Sequence, residues 1–201
     1  MFFKRRSNTG PDAQPDEDAH LLEQAKIDPA CFGLLYERYF QRIYYYCLRR
    51  LSSPEEAEDV TSLVFTRAWA GIEGYRGGSV AAWFFQIAHN TVANHLRGKR
   101  PQLSLEGTGT GDWGDSLADP EEAVLERLVQ HEKHKQVAEL IAALPPEQRE
   151  LLALSIAGGL TAKEVGQVLG KSEGAVWMAF HRIVKKLKAE YQRQMAEENQ
   201  Q

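Results

Sequence analysis

Basic side chains recur on one face of a helix predicted near the C-terminal end of this 201-residue chain, at Arg182, Lys185 and Lys186. Trp177 and Met178 precede them by one to two helical turns on the same face. Cationic groups in this arrangement hold phosphates, while side chains nearer the start of the helix reach base edges in a major groove. The pattern favours nucleic-acid binding over the plainer interpretation, a basic amphipathic helix that ends a helical bundle.

The elements that must position these residues form a helix-turn-helix. Thr161 and Glu164 have the spacing of a capping box, and Gly170 stands where a short helix of about nine residues ends in the left-handed conformation. Ser172 then caps the second helix. The buried face of that helix is predicted to consist of Val176, Phe180, Ile183, Val184 and Leu187. The residues predicted to contact DNA in this motif are Lys171, Ser172, Glu173, Gly174, Trp177, Met178, His181, Arg182, Lys185 and Lys186.

Charge is distributed in blocks along the chain, although its net value is only -4. Residues 76–100 hold four bases and no acid, residues 101–132 hold eight acids and one base, and residues 161–193 hold seven bases and three acids. Two separate DNA contacts joined by an acidic connector would have this pattern.

Helical periodicity on both sides of a Gly-rich and Pro-rich stretch predicts an all-α fold with two small domains, the second carrying the helix-turn-helix. No period-2 strand pattern appears. The predicted segments are a disordered tail over 1–18, a helical domain over 19–100, a flexible acidic linker over 101–118, a helix-turn-helix domain over 119–190 and a polar tail over 191–201.

Two surfaces of the first domain carry polar side chains. One helix begins at the cap Ser53 with Pro54 and Glu56 completing the start signal, and it packs through Val60, Val64, Trp69 and Ile72. Its opposite face carries a polar stripe of Glu55, Asp59, Ser62 and Thr66, a pattern that is usually just a solvated helix face. The following loop and the helix capped by Ser79 are suited to hold an unstacked base and its phosphates, although aromatic residues in such a pattern are more often core than stacking platforms. The residues concerned are Tyr75, Arg76, Gly77, Ser79, Asn90, Asn94 and Arg97.

Other classes of function find little support in the sequence. No set of nucleophile, base and metal ligands has the spacing of a catalytic or metal site, so we expect no enzyme activity, cofactor, metal or small-molecule substrate. Cys31 and Cys47 lie on the apolar pattern and are expected to be buried thiols rather than a disulfide or a redox switch. No apolar run is long enough to insert in a membrane, and a cytoplasmic location is expected.

Taken in order, these motifs resemble the extracytoplasmic-function (ECF) group of bacterial RNA polymerase sigma factors. The resemblance covers residues 20–188. It is carried by residues 32–39 (FGLLYERY), 57–69 (AEDVTSLVFTRAW), 83–90 (WFFQIAHN), Leu144-Pro145, and the helix-turn-helix with Glu164 and residues 172–176 (SEGAV).

The resemblance implies a role for each part of the chain. The first domain would bind core RNA polymerase through the stripe at Asp59 and Ser62 and help to melt the promoter −10 element. The second domain would read the −35 element, and the acidic linker would pass through the polymerase channels. An anti-sigma factor is implied as a further partner.

Several residues depart from the pattern of the family. Ser62 and Leu63 replace the usual Gln and Glu, and Asn94 stands where Asp is frequent. Trp177, Met178 and Ala179 replace residues that are often basic or small and polar, so the promoter sequence cannot be carried over from the family. The alternative function is a stand-alone helix-turn-helix regulator, which would leave the first domain unexplained and would normally dimerise.

Overall fold

The computed structural model describes residues 15–51, 53–98 and 136–198, with side chains described from residue 17 to residue 197. These residues form helices and turns, and none of them is in a strand. The first domain contains α1 (Pro15–Ala25), α2 (Pro29–Arg50), α3 (Pro54–Ala70), a 3-10 turn (Ile72–Gly74) and α4 (Val80–Gly98). The second contains α5 (136–142), α6 (Pro146–Leu152), a π-helical turn (Ala153–Ala157), α7 (Ala162–Leu169) and α8 (Glu173–Glu198).

Helix α1 corrects the predicted boundary of the N-terminal tail. The tail was expected to run to residue 18, but the chain is already helical at Pro15. Asp18 is 1% exposed, ion-pairs with Arg38, and accepts a 2.6 Å hydrogen bond from the Tyr39 hydroxyl. A buried carboxylate requires such partners, and their position on α2, twenty residues later, is invisible to a reading of local composition. The linker 101–118 and the predicted start of the second domain at residue 119 lie outside the described residues.

The first domain is a three-helix core of α2, α3 and α4 closed by α1. Its helices begin as predicted: Ser53 Oγ accepts a hydrogen bond from the Glu56 amide, and Ser79 Oγ accepts one from the Ala82 amide. The Glu56 carboxylate contacts His95 on α4 at 3.1 Å, so it links two helices. Trp69, expected in the core, is 43% exposed, because it packs edge-on against Phe32 at the rim of the aromatic cluster.

The second domain has the predicted helix-turn-helix. Thr161 and Glu164 form both hydrogen bonds of the capping box, and Gly170 ends α7 in the left-handed conformation with φ +65°. Ser172 Oγ accepts a hydrogen bond from the Ala175 amide at the start of α8. The predicted buried face of α8 is confirmed for Val176, Phe180 and Ile183 and is wrong for Val184, which is exposed because the apolar stripe turns toward Leu187.

The two domains pack against each other and share one hydrophobic core. Gly158, which follows the π-helical turn, lies so close to the first domain that a Cβ there would be 2.9 Å from Phe85 Cε1 and 2.5 Å from the Leu154 carbonyl oxygen. The Gly158 carbonyl accepts hydrogen bonds from Arg42 Nε at 3.0 Å and Nη2 at 2.7 Å. Only glycine permits this close approach. The contact therefore depends on Gly158 in the second domain as well as on Arg42 and Phe85 in the first.

A buried carboxylate fixes the same contact from the other domain. Glu150 on α6 is 5% exposed, and its described polar partners all belong to the first domain. It accepts hydrogen bonds from the Tyr46 hydroxyl at 2.5 Å and from His89 Nδ1 at 3.1 Å, and it ion-pairs with Arg50 at 2.5 Å. Burial favours a higher pKa for Glu150, but the hydrogen bond from His89, the charge of Arg50 and the hydrogen bond from Tyr46 together lower it below the ordinary 4.5.

The lowered pKa of Glu150 predicts how interdomain stability depends on pH. A carboxylate whose pKa is lower in the folded protein stabilises it above the unfolded pKa, and this contribution is lost as pH falls through the folded value. We expect Glu150→Gln to lower the free energy of unfolding at pH 7 by about 1–3 kcal/mol. The difference from the wild type should shrink below about pH 4.5.

Urea unfolding measured between pH 3 and pH 7 tests this expectation. Glu147→Gln is the matched control, because Glu147 is an exposed carboxylate on the same helix. A constant difference between Glu150→Gln and the wild type across this pH range would contradict an ionised Glu150.

Candidate nucleic-acid interface

The outer face of α8 is open to solvent in the structure. Trp177 and Met178 are 43% and 52% exposed, and the cationic side chains that follow them are exposed as well. The Trp177 and His181 rings meet edge-on with centroids 4.0 Å apart, and Arg182 Nε donates to the Met178 carbonyl at 3.3 Å. All the residues of this motif predicted to contact DNA, from Lys171 to Lys186, are exposed.

This exposure has a local cause. Val176, Phe180 and Ile183 bind the opposite side of α8 to α7 and to the rest of the second domain. Large apolar side chains on the free side remain about half exposed, and apolar groups in a major groove have thymine methyls to contact. The face therefore combines apolar groups near the helix start with cations further along.

The loop before α4 differs from its prediction in one residue. Tyr75 is 3% exposed, packs edge-on against Trp83 with ring centroids 5.7 Å apart, and donates a 2.7 Å hydrogen bond to the Gly78 carbonyl. In this conformation the Tyr75 ring is a core group and offers no stacking surface. Arg76 is exposed and donates to the Glu73 carbonyl, and Gly77 is exposed with a positive φ.

Ser79 connects that loop to the helix-turn-helix. Its hydroxyl donates a 2.5 Å hydrogen bond to the Glu164 carboxylate, the group that caps α7. The sequence places these residues in different domains, and only the tertiary structure brings them together.

The outer row of α4 is polar and accessible as predicted. Asn90, Asn94 and Arg97 are exposed, and Arg97 Nη2 donates a 2.6 Å hydrogen bond to Asn94 Oδ1. The described part of this row carries amide and guanidinium groups without a carboxylate, a composition suited to bases and phosphates.

The polar stripe of α3 forms a second accessible surface. Glu55, Asp59, Ser62 and Thr66 are all exposed, and the Thr66 hydroxyl donates to the Ser62 carbonyl at 2.9 Å. On α2, the part-exposed rings of Tyr36 and Phe40 contact each other, with centroids 5.2 Å apart, and both contact Phe65 of α3. The Tyr36 side chain is 41% exposed at the helix surface.

Several groups at the domain contact are absent from the predicted sites: Arg42, Tyr46, Arg50, His89 and Glu150. The sequence gives little indication that these residues lie at a domain contact, because each of them fits an ordinary helical pattern. The two cysteines are free as predicted; Cys47 is buried as expected, whereas Cys31 is only partly buried. Burial raises the pKa of the Cys47 thiol to about 12, which disfavours the reactive thiolate. Within the described ranges, no helix has the length and apolarity needed to cross a membrane.

Comparison with known proteins identifies the family. The model of Sigma-70 region 2 matches residues 35–102, and the model of Sigma-70 region 4 matches residues 134–187. The ECF RNA polymerase sigma factor BldN of Streptomyces coelicolor is 34% identical over 170 residues, which cover 83% of this chain and 63% of that protein. The ECF RNA polymerase sigma factor ShbA of Streptomyces griseus is 35% identical over 155 residues, 72% of this chain and 78% of that protein.

A solved structure has a similar fold. It is the sigma factor RpoE in complex with the anti-sigma factor NepR from Bartonella quintana, with a TM-score of 0.60 and 18% identity over 81% of this chain and 96% of that one. At this identity the likeness concerns the fold alone. On the two region matches and the ShbA relationship, the chain belongs to the ECF group of RNA polymerase sigma factors.

Proposed function

We propose that this chain directs core RNA polymerase to promoters by reading the −35 element with α8 and the −10 element with the loop and outer row of α4. The observation that carries the proposal is the helix-turn-helix whose second helix is packed on one side and presents exposed apolar and cationic groups on the other. The chain supplies binding, and the polymerase supplies the chemistry of RNA synthesis. Such a role places it in the bacterial cytoplasm.

The polar stripe of α3 is the proposed contact with the polymerase. Asp59 is exposed at the centre of this stripe, and its carboxylate makes no hydrogen bond or ion pair with the residues that the structure describes. An outward acid of this kind is suited to a partner surface that carries cations. An anti-sigma factor is a further proposed partner, since the structurally similar RpoE of Bartonella quintana is bound to one.

The two proposed DNA contacts require the domains to separate. The −10 and −35 elements are about 25 base pairs apart, which is roughly 85 Å at 3.4 Å per base pair. A compact body of about 150 residues has a radius of gyration of about 15 Å and a diameter of roughly 40 Å. The predicted linker 101–118 would span about 60 Å if fully extended, at about 3.3 Å per residue, and the widths of the two domains add to that reach. The closed arrangement therefore cannot touch both elements, and the open one can.

Run-off transcription with core polymerase tests the proposed function. We expect the purified chain to specify discrete start sites while the free protein binds the same promoter duplex weakly, because affinity comes from tethering two modest contacts through the polymerase. The Asp59→Lys variant should remain folded by circular dichroism but lose binding to the polymerase, because the charge of the stripe is reversed. Charge reversal at Glu197, which is exposed at the far end of α8, is the control.

Two results would overturn this account. A folded Asp59→Lys protein that binds core polymerase normally would exclude the stripe as the contact. Tight sequence-specific binding by the free protein, with no effect on polymerase, would instead favour the stand-alone regulator.

Trp177 is expected to determine promoter preference without stabilising the fold. Because nearly half of its surface is exposed, Trp177→Ala should change the free energy of unfolding by less than about 0.5 kcal/mol. Phe180→Ala, one turn later and 6% exposed, should cost about 3–5 kcal/mol. Thermal unfolding compares the two variants. Selection of active promoters from a library with randomised −35 sequences should show a changed preference for Trp177→Ala, and an unchanged preference would remove Trp177 from the DNA contact.

A further inference from the structure

In every polar contact described between the two domains, the donor belongs to the first domain and the acceptor to the second. The donors are the side chains of Arg42, Tyr46, Arg50, Ser79 and His89. The acceptors are the Gly158 carbonyl and the carboxylates of Glu150 and Glu164. The inner face of the first domain is thus a donor surface, and in the closed form oxygen atoms of the second domain cover it.

Three of these donors converge on one carboxylate. The Tyr46 hydroxyl and His89 Nδ1 contact one oxygen of Glu150 at 2.5 and 3.1 Å, while Arg50 Nε lies 2.5 Å from the other oxygen. Phosphate oxygens suit the same donors, since guanidinium groups bind carboxylates and phosphates by the same geometry. Arg42 adds a second guanidinium, held over the Tyr39 and Phe85 rings with its Cζ 5.1 and 5.7 Å from their centroids.

We propose that Arg42, Tyr46, Arg50 and His89 form a binding site for backbone phosphates of promoter DNA, and that Glu150 and Gly158 occupy this site while the domains are closed. The proposal rests on the proposed function, because it requires the domains to separate on a promoter. In the closed form the second domain acts as a mimic of the DNA backbone.

The position of the site on the first domain supports this ligand. Ser79 in the −10 loop belongs to the same donor surface, and His89 lies ten residues further along α4, about 15 Å at 1.5 Å per residue. Asn90, on the exposed outer row of α4, is the next residue in the chain. A strand held at the loop and at this row passes beside the site. Separation of the domains also leaves two guanidinium groups without the oxygen atoms they now contact, and a guanidinium stays charged at every physiological pH.

The salt dependence of promoter binding by the polymerase complex tests the proposal. Each lost phosphate contact lowers the slope of log affinity against log salt concentration by about 0.9 on duplex DNA and about 0.7 on single strands. We expect Arg50→Gln to lower the slope by roughly that amount. Glu150→Gln should leave the slope unchanged although it weakens the same interdomain contact. Arg67→Gln removes the same charge at an exposed residue bonded to Thr91, outside the donor surface, and should also leave the slope unchanged.

The outcomes separate the possible roles of the site. An unchanged slope for Arg50→Gln, in a complex that initiates normally, would show that the site serves only to hold the domains together. Equal slope changes for Arg50→Gln and Glu150→Gln would also overturn the proposal, because domain closure alone would then explain both. If Arg50→Gln does not fold, Arg42→Gln is read by the same criteria. Failure of the wild-type chain to direct the polymerase at all would overturn the proposed function, and this proposal with it.

Discussion

The arrangement of this sigma factor depends on one buried charge, the carboxylate of Glu150. An ionised carboxylate removed from water is stable only with partners that replace its hydration, and Glu150 finds its described partners on α2 and α4 of the other domain. Losing one partner within the closed form is costly, because the remaining charge stays buried. Separating the domains costs less free energy, because water then hydrates the Glu150 carboxylate, the Arg50 guanidinium and the His89 imidazole at the same time. An interface of this kind holds two domains in register and still permits them to part.

The same logic distinguishes the two surfaces of the second domain. Its inner surface carries Glu150 and the Gly158 carbonyl, oxygen atoms that meet donors of the first domain. Its outer surface carries the exposed face of α8, where Trp177 and Met178 precede the cations. Closure therefore leaves the proposed −35 contact open while it ties Ser79, in the proposed −10 loop, to Glu164. Among the residues proposed to contact DNA, the closed form therefore restrains Ser79 and leaves the outer face of α8 free.

The sequence predicted the local structure of this protein well, because caps and turns are encoded within a few residues. The capping box of Thr161 and Glu164, the left-handed Gly170 and the caps at Ser53 and Ser79 all form as expected. The exposed face of α8 followed from the same periodicity. These features need no information about the rest of the chain.

What the sequence could not predict depends on contacts between distant residues. The local sequence places Asp18 in a polar tail, but in the structure Arg38 and Tyr39 enclose it. The sequence also suggests that the Tyr75 ring is accessible, but Trp83 covers it. Glu150 looks like any acid on a short helix, since its partners lie 61 to 104 residues away in the chain. Burial and charge pairing of this kind arise only when the two domains meet.

The separation of the two domains is the central claim, and the distance between them tests it most directly. Fluorescent probes at Gln41→Cys on α2 and Gln192→Cys on α8, both exposed positions, would report that distance in a chain whose Cys31 and Cys47 have been replaced. The account predicts a single short distance in the free protein, within the roughly 40 Å of a compact body of this size. It predicts an increase of tens of ångströms in a transcribing complex with core polymerase and promoter. An unchanged distance in a complex that initiates from the correct start site would contradict it.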